Sequence, residues 1–290
     1  MNEAGAQAWT IEGVVRWAMD DFRARGIESP RLDAEVLLAR ALGATRVQLV
    51  IDAKRPLMPE ELSKFRALVK RRRAREPVAY LLGEREFYGR MFRVDERVLV
   101  PRPDTEALIE VALARTTACS MSLRALDLCT GSGCVAITIA RERLTSRGVA
   151  VDVDDGALVV AKENALRLGA YNVAFRRGDL FEGLEGASFD LITANPPYIP
   201  TQEIDTLAPD IRDFEPRVAL DGGADGLGLV RRIVQGAPAH LVTDGVLAIE
   251  IGAGEAGATR ELFEAEGYRD IRVARDYGRI ERVVSGARPA

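Results

Sequence analysis

The chain has 290 residues, 47% of them hydrophobic and 29% charged, with a net charge of −4. That is the composition of a soluble protein of one or two domains with a sizeable core, and no apolar run approaches the roughly eighteen residues of a membrane span. The acidic balance disfavours a stable nucleic-acid partner.

The first residues, MNEAGAQAWTIEG, lack the basic and apolar regions of a secretory signal. Cys119, Cys129 and Cys134 are few and odd in number, which fits a reducing cytoplasm. With His240 as the single histidine, no transition-metal ligand set is expected.

Residues 8 to about 85 carry helical patterning without a strand signal. Ile11, Val14, Val15, Trp17, Ala18 and Phe22 recur at helical spacing between Trp9 and Ala24, and Gly26 is a stop. Ser29-Pro30 opens a second helix that ends at Gly43. A third starts near Met58-Pro59 and runs through Leu62, Phe65 and Val69. The basic run Lys70 to Arg75 reads equally as a solvated helix end or as a docking patch for an acidic partner.

Residues 86–110 change character. Phe87-Tyr88-Gly89 followed by Met91 to Val94 predicts a β-hairpin, with Val98-Leu99-Val100 as a second arm stopped by Pro101-Arg102-Pro103. Asp104-Thr105-Glu106 opens a helix.

From Ala125 the pattern is β-α-β. Strands are predicted at 125–129, 149–153, 173–176, 189–194, 246–251, 271–274 and 280–285, with helices from Cys134, over 155–168 and from about 255 to 267. The alternation requires a mostly parallel sheet with helices on both faces.

Two features at strand ends carry chemistry. Gly131-x-Gly133-x-x-Ala136 follows a strand and enters a helix, and Asp152 closes the next strand, a pattern that brings backbone close to a nucleotide and places a carboxylate at its ribose. On this evidence alone a nicotinamide oxidoreductase, or an unoccupied structural turn, remains open.

The second feature is Asn195-Pro196-Pro197-Tyr198 after the run 189–194. Two prolines fix φ near −65° and remove two donors, so the strand stops in a stiff corner. The Asn195 side-chain oxygen and the Pro196 carbonyl are two acceptors suited to the two hydrogens of a planar NH₂ group, with Tyr198 as a face to stack on. Holding both hydrogens lets a delocalised nitrogen pyramidalise towards an electrophile about 3–3.5 Å away. The ordinary alternative is a proline-stiffened surface turn.

A hydride-transferring enzyme needs a polarising acid at this strand, and the corner supplies none. A glycine loop, a ribose acid and this corner at successive strand ends look like a class I S-adenosylmethionine methyltransferase. Asp127 would orient the loop or the methionine amino group, Asp152 would take the ribose, and Asp179-Leu180 would flank the adenine. Glu250, at the end of the strand 246–251, has an open role: it supports the site or caps the next loop.

Over nearly its whole length the sequence is similar to the HemK-type methyltransferases, which modify the glutamine of the Gly-Gly-Gln loop in class 1 peptide chain release factors. The resemblance rests on EPVAYLLGEREFYG (76–89), LVPRPDTE (99–106), NPPYIP (195–200), EPRVALDGGADGL (215–227) and RDYGRIERVV (275–284). The first, second and fourth of these are not shared by methyltransferases generally.

The resemblance implies a helical domain that recognises the release factor over residues 1–85, a hairpin linker over 86–110, and a catalytic domain with a seven-stranded sheet over 111–290. It implies S-adenosylmethionine as cofactor, leaving as S-adenosylhomocysteine. Cofactor contacts would come from Asp127, Cys129, Thr130, Gly131, Ser132, Gly133, Asp152, Asp179, Leu180 and Asn195. Glutamine would be bound by Asn195, Pro196, Pro197 and Tyr198, of which Asn195, Pro196 and Tyr198 would take part in catalysis. A monomer working in translation termination is expected.

One departure stands out: the loop reads C-T-G-S-G where the family pattern opens with glycine, and Cys129 is expected to point its side chain away from the ligand. Three rivals share the features. A glutamine methyltransferase of a ribosomal protein and an adenine methyltransferase of DNA or RNA would use the same corner. A non-catalytic docking module would have no use for Asn195.

Overall fold

The computed structural model describes residues 9–119 and 122–289. The chain divides into two compact units, Met1–Gly83 and Glu84–Ala290.

In the first unit Thr10 caps α1 (Ile11–Ala24) by accepting from the Gly13 N–H, satisfying one of the donors a helix start leaves free. Helix α2 (Pro30–Leu42) has proline in its first turn and closes on Gly43 in the left-handed conformation. Then come α3 (Arg46–Ile51), entered through a Thr45–Gln48 capping box, α4 (Pro59–Arg73) and α5 (Val78–Leu82). Helices α3 and α5 were not predicted; at 6 and 5 residues they are too short to display a period. Phe22, Leu37, Leu38, Phe65 and Val69 form the unit's own core.

The basic run is tied down within this unit. Arg72 forms a buried ion pair with Asp33 at 2.8 Å, and Arg73 pairs with Asp21 at 2.7 Å while lying over the Trp17 ring. Arg71 pairs with Glu76, and Arg75 donates to the carbonyls of Arg25 and Gly26. Arg72, Arg73 and Arg75 thus hold segments of the unit to one another, so the run is neither simply a solvated helix end nor a free basic patch.

The second unit opens with the hairpin β1 (Glu84–Phe87) and β2 (Arg90–Arg93), turned at Tyr88 and Gly89, both at positive φ. The expected arm at 98–100 is not a strand. Val98 and Val100 are buried, and the Val100 N–H reaches Glu215 Oε2 at 3.4 Å instead of a neighbouring strand.

A 3₁₀ turn over Pro103–Thr105 leads into α6 (Glu106–Arg115), β3 (Arg124–Leu128), α7 (Cys134–Glu142), β4 (Arg147–Asp152), α8 (Asp155–Leu168) and β5 (Val173–Arg177). Next are β6 (Phe189–Ala194), β7 (Ile199–Pro200), α9 (Pro209–Arg212), β8 (Asp221–Gly223), α10 (Gly228–Gly236) and β9 (Leu241–Glu250). Helix α11 (Ala256–Ala265) and strands β10 (Arg269–Arg275) and β11 (Glu281–Ala287) complete the chain. The parallel pair β7–β8 and helix α10 were not predicted.

Seven strands make one sheet in the order β10-β11-β9-β6-β3-β4-β5. Strands β9, β6, β3, β4 and β5 are parallel, and β11 runs antiparallel between β9 and β10. Both faces are covered, as a parallel sheet demands. Leu126, Leu128, Ile192 and Ile249 pack with Val230, Ile233 and Val234 of α10 and Phe263 of α11. The alternate residues Ala125, Leu191, Val246 and Ala248 pack with Leu108 and Ile109 of α6, Ile137 and Ile139 of α7, and Phe87 and Phe92 of the hairpin. Each such large side chain contributes roughly 1.5–3 kcal/mol by leaving water. Among the described residues no helix is long and apolar enough to cross a membrane.

Candidate active site

Strand register builds the site. Leu128 pairs with Val151 and with Ala194, and Ala194 pairs with Ile249. The residues one step further, Asp152, Cys129, Asn195 and Glu250, therefore form a row across the carboxyl edge of the sheet, where open α/β folds bind ligands.

A cavity of about 280 Å³ lies at this edge. Its wall includes Asp127, Cys129, Thr130, Gly131, Ser132, Asp152, Asp179, Leu180, Asn195 and Pro197. The sequence-expected residues Gly133, Pro196 and Tyr198 are not in that wall. Gly133 serves packing instead: at φ +80 it begins α7, and a Cβ there would meet Ile137 Cδ1 at 2.8 Å and Ala161 Cβ at 3.2 Å.

Asp127 is 3% exposed, its Oδ2 accepting from the Thr130 hydroxyl at 2.6 Å and its Oδ1 from the Thr193 hydroxyl at 2.8 Å. Burial pushes its carboxyl up to about 6, and the two hydroxyls oppose the shift. Asp152 accepts from the backbone N–H of Gly131 at 2.8 Å and of Asp154 at 3.0 Å, so it fixes the glycine loop against β4. Burial raises this carboxyl too, against those N–H groups.

Asp179 is more open and pairs with Arg232 at 2.9 Å. Cys129 and Leu180 both stand at φ +56, a left-handed conformation that non-glycine residues seldom adopt and that concentrates at functional sites. Cys129 and Cys134 are half-buried residues of the cavity wall with free thiols; Cys129 packs against the core on one face of the sheet and Cys134 against that on the other, and burial raises the pKa of each.

Asn195 is half-buried and its Nδ2 donates to Thr105 Oγ1 at 3.3 Å. The Tyr198 phenol is pushed up to about 12 by burial, with the Glu250 carboxylate adding to the effect. His240 is taken up by packing: its ring stacks on Phe181 at 4.9 Å.

Several wall residues escaped the sequence reading, among them Arg97, Arg102, Thr105, Val218 and Leu229. Arg102 and Thr105 lie within 99–106, a stretch that resembles the family without revealing which of its side chains face a ligand.

Two family models match the chain: the PrmC N-terminal domain over residues 14–83 and the methyltransferase small domain over residues 104–210. The release factor glutamine methyltransferase of Geobacter sulfurreducens is 44% identical over 280 residues, covering 97% of each chain. That of Cereibacter sphaeroides is 43% identical over 277 residues, covering 95% of this chain and 98% of its own. This chain belongs to the release factor glutamine methyltransferase family.

Its fold is that of the class I methyltransferases. A methyltransferase of known structure from Pyrococcus furiosus aligns with a TM-score of 0.52 at 18% identity, over 79% of this chain and 100% of its own.

Three of the stretches that mark the family are joined to one another. Glu215 accepts from Arg102 at 2.6 Å, joining 215–227 to 99–106. Arg282 donates to Asp276 at 3.2 Å and to the Ile251 carbonyl at 3.2 Å, and pairs with Asp104 at 3.3 Å, joining 275–284 to the same segment. Gly222 and Gly226 lie against the corner's backbone: a Cβ on Gly222 would stand 2.8 Å from the Pro197 carbonyl oxygen, and one on Gly226 would overlap that of Tyr198. The corner is therefore braced by the backbone of 215–227, while ion pairs tie 99–106 to 215–227 and to 275–284.

Proposed function

We propose that this protein transfers a methyl group from S-adenosylmethionine to the side-chain amide nitrogen of the glutamine in the Gly-Gly-Gln loop of class 1 peptide chain release factors. The observation that carries the reading is the presence of Asn195 in the same cavity wall as Asp127, Gly131 and Asp152, in a chain 44% identical to a release factor glutamine methyltransferase.

The cavity residues fit the cofactor. From Asn195 through Asp127 and Asp152 to Asp179 the wall crosses the ends of four neighbouring strands, about 14 Å at 4.8 Å per strand. It offers a buried carboxylate for an ammonium, a second for ribose hydroxyls, and the apolar Val153, Leu180 and Leu229 for a base. When bound, S-adenosylmethionine supplies a methyl group already activated by its sulfonium.

The protein's residues then have three tasks. Asp127 would hold the amino group and Asp152 the ribose, which fixes the methyl group towards Asn195. Asn195 Oδ1 and the Pro196 carbonyl would accept the two amide hydrogens of the substrate glutamine, holding its nitrogen in line with the methyl carbon. Tyr198 would pack against the amide plane. Held so, the glutamine nitrogen would accept the methyl group that the cofactor supplies, S-adenosylhomocysteine would leave, and the surplus proton on nitrogen would pass to water. Orientation does most of this work, and effective concentration is what such sites supply. The helical unit would recognise the release factor.

The test is transfer of labelled methyl to a purified class 1 release factor, to its loop Gln→Ala variant, and to DNA and RNA. Label on the wild-type factor alone is the expected result. Label on nucleic acid alone would replace this reading by adenine methylation.

A further inference from the structure

Glu250 ends β9 beside Asn195 and is 1% exposed. It does not cap the loop that follows: the Gly252 N–H is taken by Glu255 Oε2 at 2.8 Å. It does not line the cavity either, whereas its neighbours Thr105 and Asn195 do. Its Oε2 is buried without a hydrogen-bond partner, a costly arrangement for a carboxylate that packing alone does not call for.

We propose that Glu250 is a positioning residue that, with Thr105, fixes which way the Asn195 carboxamide points. A carboxylate only accepts hydrogen bonds. Set behind Asn195 with the Thr105 hydroxyl, it draws the Asn195 NH₂ group inward and leaves Oδ1 facing the cavity, the orientation that accepts an N–H from a substrate amide. The Asn195 Nδ2 to Thr105 Oγ1 bond at 3.3 Å is that arrangement. Turned over, the same side chain would present a donor to a donor, and the substrate amide would be repelled.

Protonation gives the carboxyl group a donor of its own and removes this preference. Burial pushes Glu250 up to about 7, while Thr105, Arg282 and Asn195 oppose the shift and Asp104 adds to it. The charged and titratable groups facing it are Asp104 in the 3₁₀ turn, Arg282 on β11 with its partner Asp276, Tyr198 in the corner and Cys134 on α7. Tyr198 and Cys134 are each pushed up to about 12 and stay neutral across this range.

The inference rests on the proposed methyl transfer for its kinetic test, and a second measurement is independent of any substrate. With saturating cofactor, which removes the influence of Asp127, the wild-type kcat is expected to rise with pH through about 7. Glu250→Gln, isosteric but both donor and acceptor, lowers kcat at pH 8.5 to the acid plateau and abolishes the rise. Glu250→Ala lowers it further, by about 100-fold, the scale of a misplaced catalytic group. S-adenosylhomocysteine affinity stays within twofold of wild type in both.

A wild-type kcat and pH profile in Glu250→Gln overturns the proposal, as does a loss of activity that merely follows a loss of cofactor affinity. In the second measurement the Asn195 side-chain NH₂ resonances, assigned with Asn195→Asp, shift with a midpoint near 7 in wild type and not in Glu250→Gln. No shift in wild type overturns the proposal. A wild-type enzyme inactive on release factors but showing that titration removes the functional reading and leaves the Glu250 assignment standing.

Discussion

A side chain that lines a cavity without entering a core can be replaced while the sheet around it persists. Asn195 is such a residue, half-buried and bonded to Thr105. Asn195→Ala should lower kcat by about 100- to 1,000-fold, the usual effect of deleting one preorganised polar group at a reacting centre. Thermal stability and S-adenosylhomocysteine binding should hardly change; steady-state methylation of a release factor beside calorimetric titration checks both. An equal loss of cofactor affinity would show that Asn195 serves mainly to bind.

At this scale the sequence was readable where one residue type suffices. Two prolines fix a corner, and a carboxylate at a strand end faces a ligand edge, so Asn195 and Asp152 stood out. Thr105 did not, and Glu250 stood out only as a strand-end acid with two open roles: whether it meets Thr105 and Asn195 depends on three distant segments, and a threonine or a strand-end glutamate carries no signature of that.

Among the elements, the loop around β8 shows how a glycine-rich stretch can act through its backbone. Gly226 stands at φ +79 with its Cα against the Tyr198 carbonyl. Gly226→Ala must therefore move either the loop or the corner, on top of the cost of roughly 1 kcal/mol for a Cβ in the left-handed region. The expected outcome is a kcat reduced by about 100-fold, as for a displacement of about 1 Å, with the cofactor site, built on β3 and β4, still binding S-adenosylhomocysteine. Wild-type kcat in this variant would sink the bracing role.

The long strands and helices were legible because their burial repeats at period 2 or 3.6. The arm expected at 98–100 has the right residue types but meets a glutamate instead of a strand edge. Helices α3 and α5 and strands β7 and β8 are shorter than the window in which a period can be seen, and tertiary contacts decide them.

Over the whole molecule, two buried carboxyl groups set a pH dependence of stability. Asp127 and Glu250 titrate at about 6 and about 7 in the folded chain, above their values in an unfolded one. The folded state then binds more protons between about pH 4 and 7, so stability falls as pH rises through that window. The effect is on the order of 3 kcal/mol for each group. Urea unfolding of the ligand-free protein at pH 5 and pH 8 should show most of this fall, and Glu250→Gln should remove about two-thirds of what is seen over that interval; a stability that rises instead would contradict these environments.

Each of the two units holds a separate core, and along the sequence purely helical patterning gives way to a hairpin and then to β-α-β alternation. Cys129 and Cys134, free cysteines among the residues of the cavity wall, give the molecule a built-in clock. Being neutral at ordinary pH, they should react sluggishly with iodoacetamide, and slower still once a ligand covers them. In a Cys119→Ser background, the half-time of alkylation would then read out occupancy of the site directly, with no substrate and no turnover.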